Sequence, residues 1–271
     1  AEDGIRDIGV TGVQTCALPI YCIPIRLLCD KNWNCPWGQD EAVCRNFTCP
    51  YHLRCKTSHC IHPQEVCDGE LHCVGSKDDE NFCDVPTCTV NCKCKGFAYF
   101  CTHTNNSVIF HLPARVRSVT IQKSLSYLPA IRNQNKFQLI HTLDISYNRI
   151  SILNQKLFVV FKPVKRLDLS HNKLKVILGH TFVCLFQLHH LSIHKNPLQF
   201  ITPLAFSSLS FIKYLHLSDL KLKSLKQMSL IGLKRLKYLN ISNNNIKSIH
   251  AKAFHTLKAL LMLDMSQNWL Q

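Results

Sequence analysis

The chain has 271 residues, 16 cysteines and a formal net charge of +15. So many cysteines exclude an ordinary reduced cytosolic protein and indicate disulfides formed in an oxidising compartment. No apolar run reaches the length of a membrane span. The motifs GxSxG, HExxH and the P-loop are absent from the sequence, so we expect a protein that is not an enzyme.

Charge divides the chain into two parts. Residues 21–84 contain six Lys/Arg and ten Asp/Glu, a net charge of −4. Residues 85–271 contain 25 Lys/Arg and four Asp/Glu, a net charge of +21. A change of this size predicts a domain boundary near Asp84 and Pro86.

The N-terminal segment, "AEDGIRDIGVTGVQTCALPI", resembles the in-frame translation of a sequencing adapter, with an index encoding Ile8 and Gly9 between its two blocks. We therefore leave residues 1–20 out of the fold prediction. On this interpretation Cys16 is not a natural cysteine, and a native signal peptide cannot be sought at this end. We expect the natural chain to extend further in both directions.

Six cysteines between residues 49 and 83 predict a small disulfide-bonded module. Such a segment cannot enclose a large apolar core, so its stability has to come from cross-links and from a bound metal. The acidic residues after Cys67 and before Cys83 suit Ca²⁺, which prefers oxygen ligands. The alternative is that these acids only solvate the disulfide knot.

The cysteine spacing resembles the class A module of the low-density lipoprotein receptor. The resemblance implies the disulfides Cys49–Cys60, Cys55–Cys73 and Cys67–Cys83. It also implies a calcium site made by the carboxylates of Asp68, Asp79 and Glu80 and the carbonyl oxygens of Glu65 and Glu70. Here His72 replaces a carboxylate, and one extra residue precedes Asp79. Both departures should weaken calcium binding, because a neutral imidazole is a poor ligand for Ca²⁺.

Residues 22–44 resemble the second half of another class A module. Cys22, Cys29, Cys35 and Cys44 take its third to sixth cysteine positions, which implies the pair Cys29–Cys44. Its calcium site would use Asp30, Asp40 and Glu41, with Asn34 in place of an aspartate. Because the first two cysteines are missing, we expect this module to be poorly formed.

The next cysteines, in "CTVNCKCKGFAYFC", resemble the N-terminal cap of extracellular leucine-rich repeat proteins. The first repeat of a solenoid has an exposed apolar end that a cap must cover. The resemblance implies a cap over residues 86–115 with the disulfides Cys88–Cys94 and Cys92–Cys101. A zinc site is the alternative for four close cysteines, although the secreted context favours disulfides.

From residue 116 onward a phrase of the form LxxLxLxxNxL recurs with a constant 24-residue period. Its second apolar position predicts seven short strands, centred at Val119, Leu143, Leu167, Leu191, Leu215, Leu239 and Leu263. Alternate residues of each strand point inward, and successive strands stack in parallel. The asparagine satisfies backbone groups where the chain leaves the strand. A second apolar row packs the convex wall, at Phe158, Phe182, Phe206, Leu230 and Phe254.

The repeats resemble the typical leucine-rich repeat. They predict an α/β leucine-rich repeat solenoid, a horseshoe with a parallel β-sheet, over residues 116–271, with the seventh repeat incomplete. Such sheets bind partners through their concave face. Asp144 and Asp168 take equivalent outward positions on adjacent strands, where two like charges suit a basic ligand group. Four further outward residues complete the candidate patch, namely Tyr147, Arg166, His190 and Tyr214. The alternative is that the aspartate of "LDLS" only meets solvent.

The order of class A modules, a cap containing "NCKCKG" and 24-residue repeats resembles the ectodomain of relaxin-receptor-like G-protein-coupled receptors. The resemblance implies a cationic peptide hormone, or another extracellular protein ligand, bound by acids of the concave face. It also implies a class A module that contributes to activation, and a membrane-spanning parent with this region outside the plasma membrane. Three acceptor triplets predict N-glycosylation at Asn46, Asn105 and Asn240.

Two other functions fit the same sequence. One is a secreted or single-span adhesion or immune recognition protein without G-protein signalling. The other takes the net charge of +21 over residues 85–271 as a surface for an anionic ligand such as a sulfated glycan or a nucleic acid. We expect most lysines to lie on the convex side, where they are solvated, and we expect no nucleic-acid partner.

Overall fold

A computed structural model describes residues 53–57, 60–62, 65–81, 83, 88, 91–131, 136–153 and 155–270, two strands nearer the N-terminus and residues 34, 41 and 49. The chain divides into two compact units, residues 1–86 with 95–97, and residues 87–94 with 98–271. Asn34 is exposed and Glu41 is half-buried. The other predictions for residues 22–46 lie outside the described residues, namely Cys29–Cys44, Asp30, Asp40 and Asn46.

The first unit contains two antiparallel strand pairs. Strand β1 (Val13–Cys16) pairs with β2 (Tyr21–Pro24), and β3 (Leu53–Arg54) pairs with β4 (Cys60–Ile61). The disulfides among its described residues include Cys49–Cys60, Cys55–Cys73 and Cys67–Cys83, the same pairs that the class A resemblance implies. The small size of the buried cluster, Cys55, Ile61 and Cys73, means that cross-links form much of this module's core.

The cap strands lie at one end of a nine-stranded sheet. They are β5 (Cys92–Lys95) and β6 (Ala98–Thr102), followed by the short helix α1 (Val108–His111). Cys88 is bonded to Cys94, and Cys92 is bonded to Cys101. Because all four sulfurs are in disulfides, they are not available to hold zinc. The interpretation of these cysteines as a zinc site is therefore wrong.

Seven parallel strands continue the sheet from the cap, each one repeat further along the chain than the last. The central leucines pair in register, as Leu143 does with Leu167. The predicted parallel sheet and its period are therefore confirmed. The seven strands are β7 (Ser118–Gln122), β8 (Thr142–Asp144), β9 (Arg166–Asp168), β11 (His190–Ser192), β13 (Tyr214–His216), β15 (Tyr238–Asn240) and β17 (Met262–Asp264).

The opposite wall of the solenoid consists of turns, short strands and a 3-10 helix, Gln155–Phe161. Strand β10 (Val176–Ile177) pairs in parallel with β12 (Phe200–Ile201), and β14 (Ser224–Leu225) pairs with β16 (Ser248–Ile249). Four members of the predicted second apolar row are in the core, with ring centroids of Phe158 and Phe182 5.7 Å apart and those of Phe182 and Phe206 6.0 Å apart. The fifth, Phe254, is half-buried against that core. None of the helices in the described part of the chain is long and apolar enough to cross a membrane.

Buried asparagines close the turn after most strands. The amide of Asn172 donates to the carbonyl oxygens of Ile145 at 2.9 Å and Leu169 at 3.0 Å, and its oxygen accepts the N–H of Ile150 at 3.0 Å. Asn148, Asn196, Asn244 and Asn268 make equivalent contacts. In the first repeat Ser124 accepts the N–H of Thr104 instead, and in the fifth Leu220 is simply buried.

One glycine marks a close approach between neighbouring repeats. Gly232 has a φ of +98°, and a Cβ built on it would lie 2.6 Å from the carbonyl oxygen of Phe206. Both observations exclude any other residue without movement of the backbone.

Candidate ligand-binding face of the repeat sheet

The two aspartates predicted to bind a ligand are cross-strand neighbours. Asp144 on β8 pairs with Asp168 on β9, and both side chains are half-buried. One oxygen of Asp144 accepts the backbone N–H of Ser146 at 2.9 Å, and one oxygen of Asp168 accepts that of Ser170 at 2.8 Å. Each aspartate therefore helps to close the turn that follows its strand, a structural role that the sequence alone did not indicate.

The same contact recurs in later repeats with and without a charge. Asn240 accepts the N–H of Ser242 at 2.9 Å, and Asp264 accepts that of Ser266 at 3.0 Å. A neutral carboxamide thus closes the turn as an aspartate does. The negative charges of Asp144 and Asp168 are not required for this part of the fold.

Electrostatic conditions at the aspartate pair favour a cationic partner. Burial raises the pKa of Asp144, the hydrogen bonds from Ser146 lower it, and the neighbouring Asp168 raises it again, with a smaller lowering from Arg166. The net effect is a raised pKa. Gln122 adds one weak donor, at 3.4 Å from the second oxygen of Asp144. An ammonium or guanidinium group placed between the two carboxylates would relieve their repulsion.

A first aromatic group lies beyond the strand ends. The rings of Tyr147 and His171 stack with centroids 3.9 Å apart and planes 14° apart, and His194 meets His171 edge-on at 5.6 Å. Tyr147 and His171 both have a left-handed backbone, with φ values of 52°. Tyr147 is 50% exposed, and its contact with a ligand stays a prediction.

A second ring cluster lies on strands β11, β13 and β15. His190 lies 5.9 Å from Tyr214 and 5.1 Å from His216, and His216 lies 5.0 Å from Tyr238. Tyr214 is exposed and Arg166 is half-buried. His190 is only 3% exposed, which corrects the expectation that it contacts a ligand directly. Burial, followed by Arg166 and His216, lowers the pKa of His190 to about 2, so it is a neutral packing residue.

Sequence inspection did not select four rings of these clusters. His171 follows Tyr147 by one repeat, and Tyr238 follows Tyr214 by one repeat. The 24-residue period could therefore have identified His171 and Tyr238, because equal positions in adjacent repeats become cross-strand neighbours. The omitted rings are His171, His194, His216 and Tyr238.

One side-chain cluster in the cysteine module contains a single predicted carboxylate ligand, Asp68. One ligand atom each from Asp68, Glu70 and His72 falls within 4.8 Å of the others, although Glu70 was predicted to contribute its carbonyl oxygen and His72 only to replace a carboxylate. One oxygen of Asp68 is 3.2 Å from His72 Nε2 and 3.0 Å from Lys95 Nζ. Burial alone would raise the pKa of Asp68, but Lys95, the N–H of Glu70 and His72 together lower it. Asp68 is therefore an anion whose cationic partner is Lys95.

The other two predicted carboxylates bind backbone donors. Asp79 accepts the N–H groups of His72 and Cys73, and Glu80 accepts that of Asp68 at 2.9 Å. Asp79 is 2% exposed, and its remaining oxygen has no hydrogen-bond partner among the described residues. A buried carboxylate oxygen without a donor fits a cation ligand. The imidazole of His72 within the same group does not favour Ca²⁺.

Two predicted glycosylation acceptors fall within the described residues. Asn105 is exposed, and its side-chain oxygen accepts the N–H of Ser107 at 3.0 Å. Asn240 lies on β15 and is half-buried, with its oxygen bonded to Ser242. A sugar at Asn240 would stand on the face that carries the aspartate pair, three strands away from Asp168.

Comparison with known families agrees with this geometry. A profile described as "Leucine rich repeat" matches residues 138–198, 186–246 and 212–270. The solenoid is a leucine-rich repeat domain. The matched phrases are those that contribute β8 to β17 and the buried asparagines.

Individual relatives cover only parts of the chain. The vitellogenin receptor of Solenopsis invicta is 36% identical over 96 residues, which is 34% of this chain and 5% of that receptor. The Toll–Spätzle complex of Drosophila has a chain that is 18% identical over 61% of this chain and 25% of its own length, with a TM-score of 0.51. A leucine-rich repeat protein of Leptospira interrogans is 27% identical over 57% of this chain and 38% of its own, with a TM-score of 0.49. The chain therefore corresponds to a small part of these proteins, and the Toll likeness concerns the fold.

Proposed function

We propose that this chain is the extracellular ligand-binding region of a receptor, and that its repeat sheet binds a cationic peptide or protein at Asp144 and Asp168. One observation carries the proposal. Asn240 closes its turn without a charge, yet two adjacent strands place aspartates at the same position, in a half-chain with only four acids. A charge that the fold does not need, and that burial penalises, is best explained by a ligand.

The compartment and the surrounding modules support a receptor. Five disulfides among the described residues fit an oxidising environment. The vitellogenin receptor relative is itself a receptor by its name, although it aligns over a short segment. The order of cysteine modules, cap and repeats adds the finer proposal that the ligand is a relaxin-like peptide hormone and the parent a G-protein-coupled receptor in the plasma membrane.

The geometry indicates how a cationic side chain would bind. A guanidinium or ammonium group would lie against Asp144 and Asp168, whose partial burial strengthens the ion pair relative to bulk water. Tyr147, stacked on His171, offers a ring face for the stem of the same residue or for a neighbouring cation. Because a bound cation would lower the raised pKa of Asp144, ligand binding should weaken as the pH falls toward 4.

We also propose a cation in the cysteine module. Asp68, Asp79 and Glu80 would offer carboxylate oxygens, and Glu65 and Glu70 their carbonyl oxygens. Calcium would neutralise these acids and so stabilise the module that, in this proposal, contributes to receptor activation. His72 and Lys95 compete for Asp68, which supports the expected weak affinity.

The test replaces both carboxylates by carboxamides, Asp144→Asn with Asp168→Asn. Carboxamides preserve the acceptors for Ser146 and Ser170, whereas alanines would remove them and cost about 1 kcal/mol each. We expect an arginine-bearing relaxin-like peptide to bind at least about tenfold more weakly, with little change in melting temperature. Because each substitution creates an Asn-x-Ser triplet, the protein has to come from a host without N-glycosylation, such as the bacterial periplasm.

Asp264→Asn is the matched control, since Asp264 makes the same contact to Ser266 at the same repeat position. It should leave peptide affinity unchanged. Equal affinity of the double variant and the parent would place the site elsewhere. If the parent binds no such peptide, the hormone assignment is wrong, and an adhesion or immune recognition protein becomes the better proposal.

A further inference from the structure

Six consecutive repeats carry a basic residue immediately before the strand. Each member follows the previous one by one repeat, and the next repeat has Leu261 at this place. The row contains no acidic residue and lies at the beginning of the strands, whereas the aspartate pair lies at their ends. We call it the basic row, and it consists of Arg117, His141, Lys165, His189, Lys213 and Lys237.

Backbone hydrogen bonds place these residues side by side. The N–H of Lys165 donates to the carbonyl of His141, that of His189 to Lys165 and that of Lys213 to His189, each at 2.8 Å. His141 is joined to Arg117 and Lys237 to Lys213 in the same way, at 2.8 and 2.9 Å. Since neighbouring strands are spaced by about 4.8 Å, the row is about 24 Å long.

Two members of the basic row, His141 and Lys213, lie among other basic groups. Burial, followed by Lys237 and Arg235, lowers the pKa of Lys213. Burial, followed by Lys165 and Arg117, lowers the pKa of His141 to about 4. Every charged group that shifts these two pKa values is itself basic. Lys213 and Lys237 are nevertheless exposed, so a partner can reach them.

We propose that the basic row binds a sulfated glycosaminoglycan chain laid across the repeats. A linear polyanion matches the four arginine and lysine cations of the row, and its charges would offset the repulsion between them. The two histidines have lowered pKa values and add no charge at neutral pH. The disulfides indicate an oxidising, extracellular setting, where sulfated glycans rather than nucleic acids are the abundant polyanions.

Aromatic rings do lie beside the basic row. Tyr214 and Tyr238 directly follow Lys213 and Lys237 in the chain, and the ring of Phe211 lies 6.4 Å from that of His189. Single-stranded nucleic acids bind basic grooves that carry aromatic platforms for the bases, so these rings do not favour a glycan. The oxidising compartment is the reason to prefer a sulfated glycan, and a single-stranded oligonucleotide is therefore included in the test.

The test compares two triple variants of equal charge, with a heparin oligosaccharide as the probe. Lys165→Gln, Lys213→Gln and Lys237→Gln remove the lysines of the row. Lys173→Gln, Lys221→Gln and Lys247→Gln remove three exposed lysines from other register positions. At physiological salt we expect the row variant to bind about tenfold more weakly, with a shallower dependence of affinity on salt, and the control to stay within about twofold.

Three outcomes would overturn the proposal. Equal weakening in both triple variants would mean that net charge alone attracts heparin. Loss of parent binding at physiological salt would mean that no site exists. A single-stranded oligonucleotide of equal charge that binds as tightly, with the same dependence on the row, would make nucleic acid the better partner.

Lys→Arg at the three row positions should restore heparin binding, which separates an effect of charge from an effect on folding. Peptide binding at Asp144 should be unaffected by the row variants.

Discussion

Among the described residues of the cysteine module the buried apolar side chains are Cys55, Cys60, Ile61 and Cys73, whereas the repeat solenoid buries one continuous core that runs from Tyr99 to Leu257. Three of these four module residues are halves of disulfides. A short chain cannot remove enough apolar surface from water, so cross-links that restrict its unfolded state have to compensate. In the solenoid, each repeat is stabilised by its contacts with the repeats on either side. Loss of a disulfide should therefore destabilise the cysteine module most, and loss of a buried contact should destabilise the solenoid most.

The largest effect should follow from removing one module disulfide, with Cys55→Ser and Cys73→Ser. A native disulfide in so small a domain contributes about 2–5 kcal/mol, comparable to its whole stability. We expect residues 53–83 to lose their structure while the repeats keep theirs. Hydrogen exchange followed by mass spectrometry would measure both regions in one sample.

Cys184→Ser is the matched control, because Cys184 is the free cysteine among the described residues and lies in the solenoid. It should leave exchange in both regions almost unchanged. If the disulfide variant keeps slow exchange in residues 53–83, apolar burial in the module has been underestimated. If it also opens the repeats, the two regions do not fold independently.

A smaller loss should follow from Asn172→Ala in the solenoid. The substitution leaves the carbonyls of Ile145 and Leu169 without a donor and the N–H of Ile150 without an acceptor. Leaving such buried groups unpaired should cost about 3 kcal/mol or more. Urea unfolding monitored by circular dichroism would give the value. The exposed Asn245→Ala serves as control with a cost below about 0.5 kcal/mol, and equal costs would refute a structural role for the buried asparagine.

The smallest expected effect is a difference in how the two regions respond to acid. The folded-state pKa of His190 is about 2, below the unfolded value of 6.5, so protonation favours the unfolded solenoid. Solenoid stability should fall as the pH drops below about 6.5, by at most about 2 kcal/mol from His190 at pH 5. His141 acts in the same direction, and Asp144 opposes it because its pKa is raised.

In the module the lowered pKa of Asp68 acts in a lower pH range. Its contribution is present above the unfolded pKa of 3.8 and is lost only as the pH falls below it. His190→Gln should flatten the decline of solenoid stability between pH 6.5 and 5, measured as the urea midpoint at each pH. His255→Gln, at an exposed histidine, should leave the decline in place. Parallel acid profiles for the parent and His190→Gln would contradict the assignment.

Much of the solenoid could be predicted because its period is a property of the chain. A residue such as Leu143 faces the core in every repeat, so a strict 24-residue apolar spacing predicts strand, register and asparagine positions together. The row of Lys165, Lys213 and Lys237 at the beginning of the strands was not predicted. The expectation that most lysines lie on the convex side stays a prediction. The net charge of a segment does not indicate at which position of the repeat its charged residues lie.

Part of the candidate site could also be predicted from the sequence, and part could not. The alternation of a strand predicts that Asp144 and Asp168 face outward next to each other, and the structure places them so. That His190 faces outward and is still buried depends on Tyr214 and His216, which come from the neighbouring repeat. Neither the burial of a ring nor its pKa can be read from one strand.

By itself the amino-acid sequence determined the two kinds of architecture, because cysteine spacing and apolar period are local patterns that repeat along the chain. It also determined that Asp144 and Asp168 are neighbours. Only the tertiary structure decided that one oxygen of each aspartate accepts the N–H of Ser146 or Ser170, and that the uncharged Asn240 accepts the equivalent hydrogen bond. The distinction between a structural oxygen and a functional charge arises from hydrogen bonds whose geometry exists only after the strands have stacked.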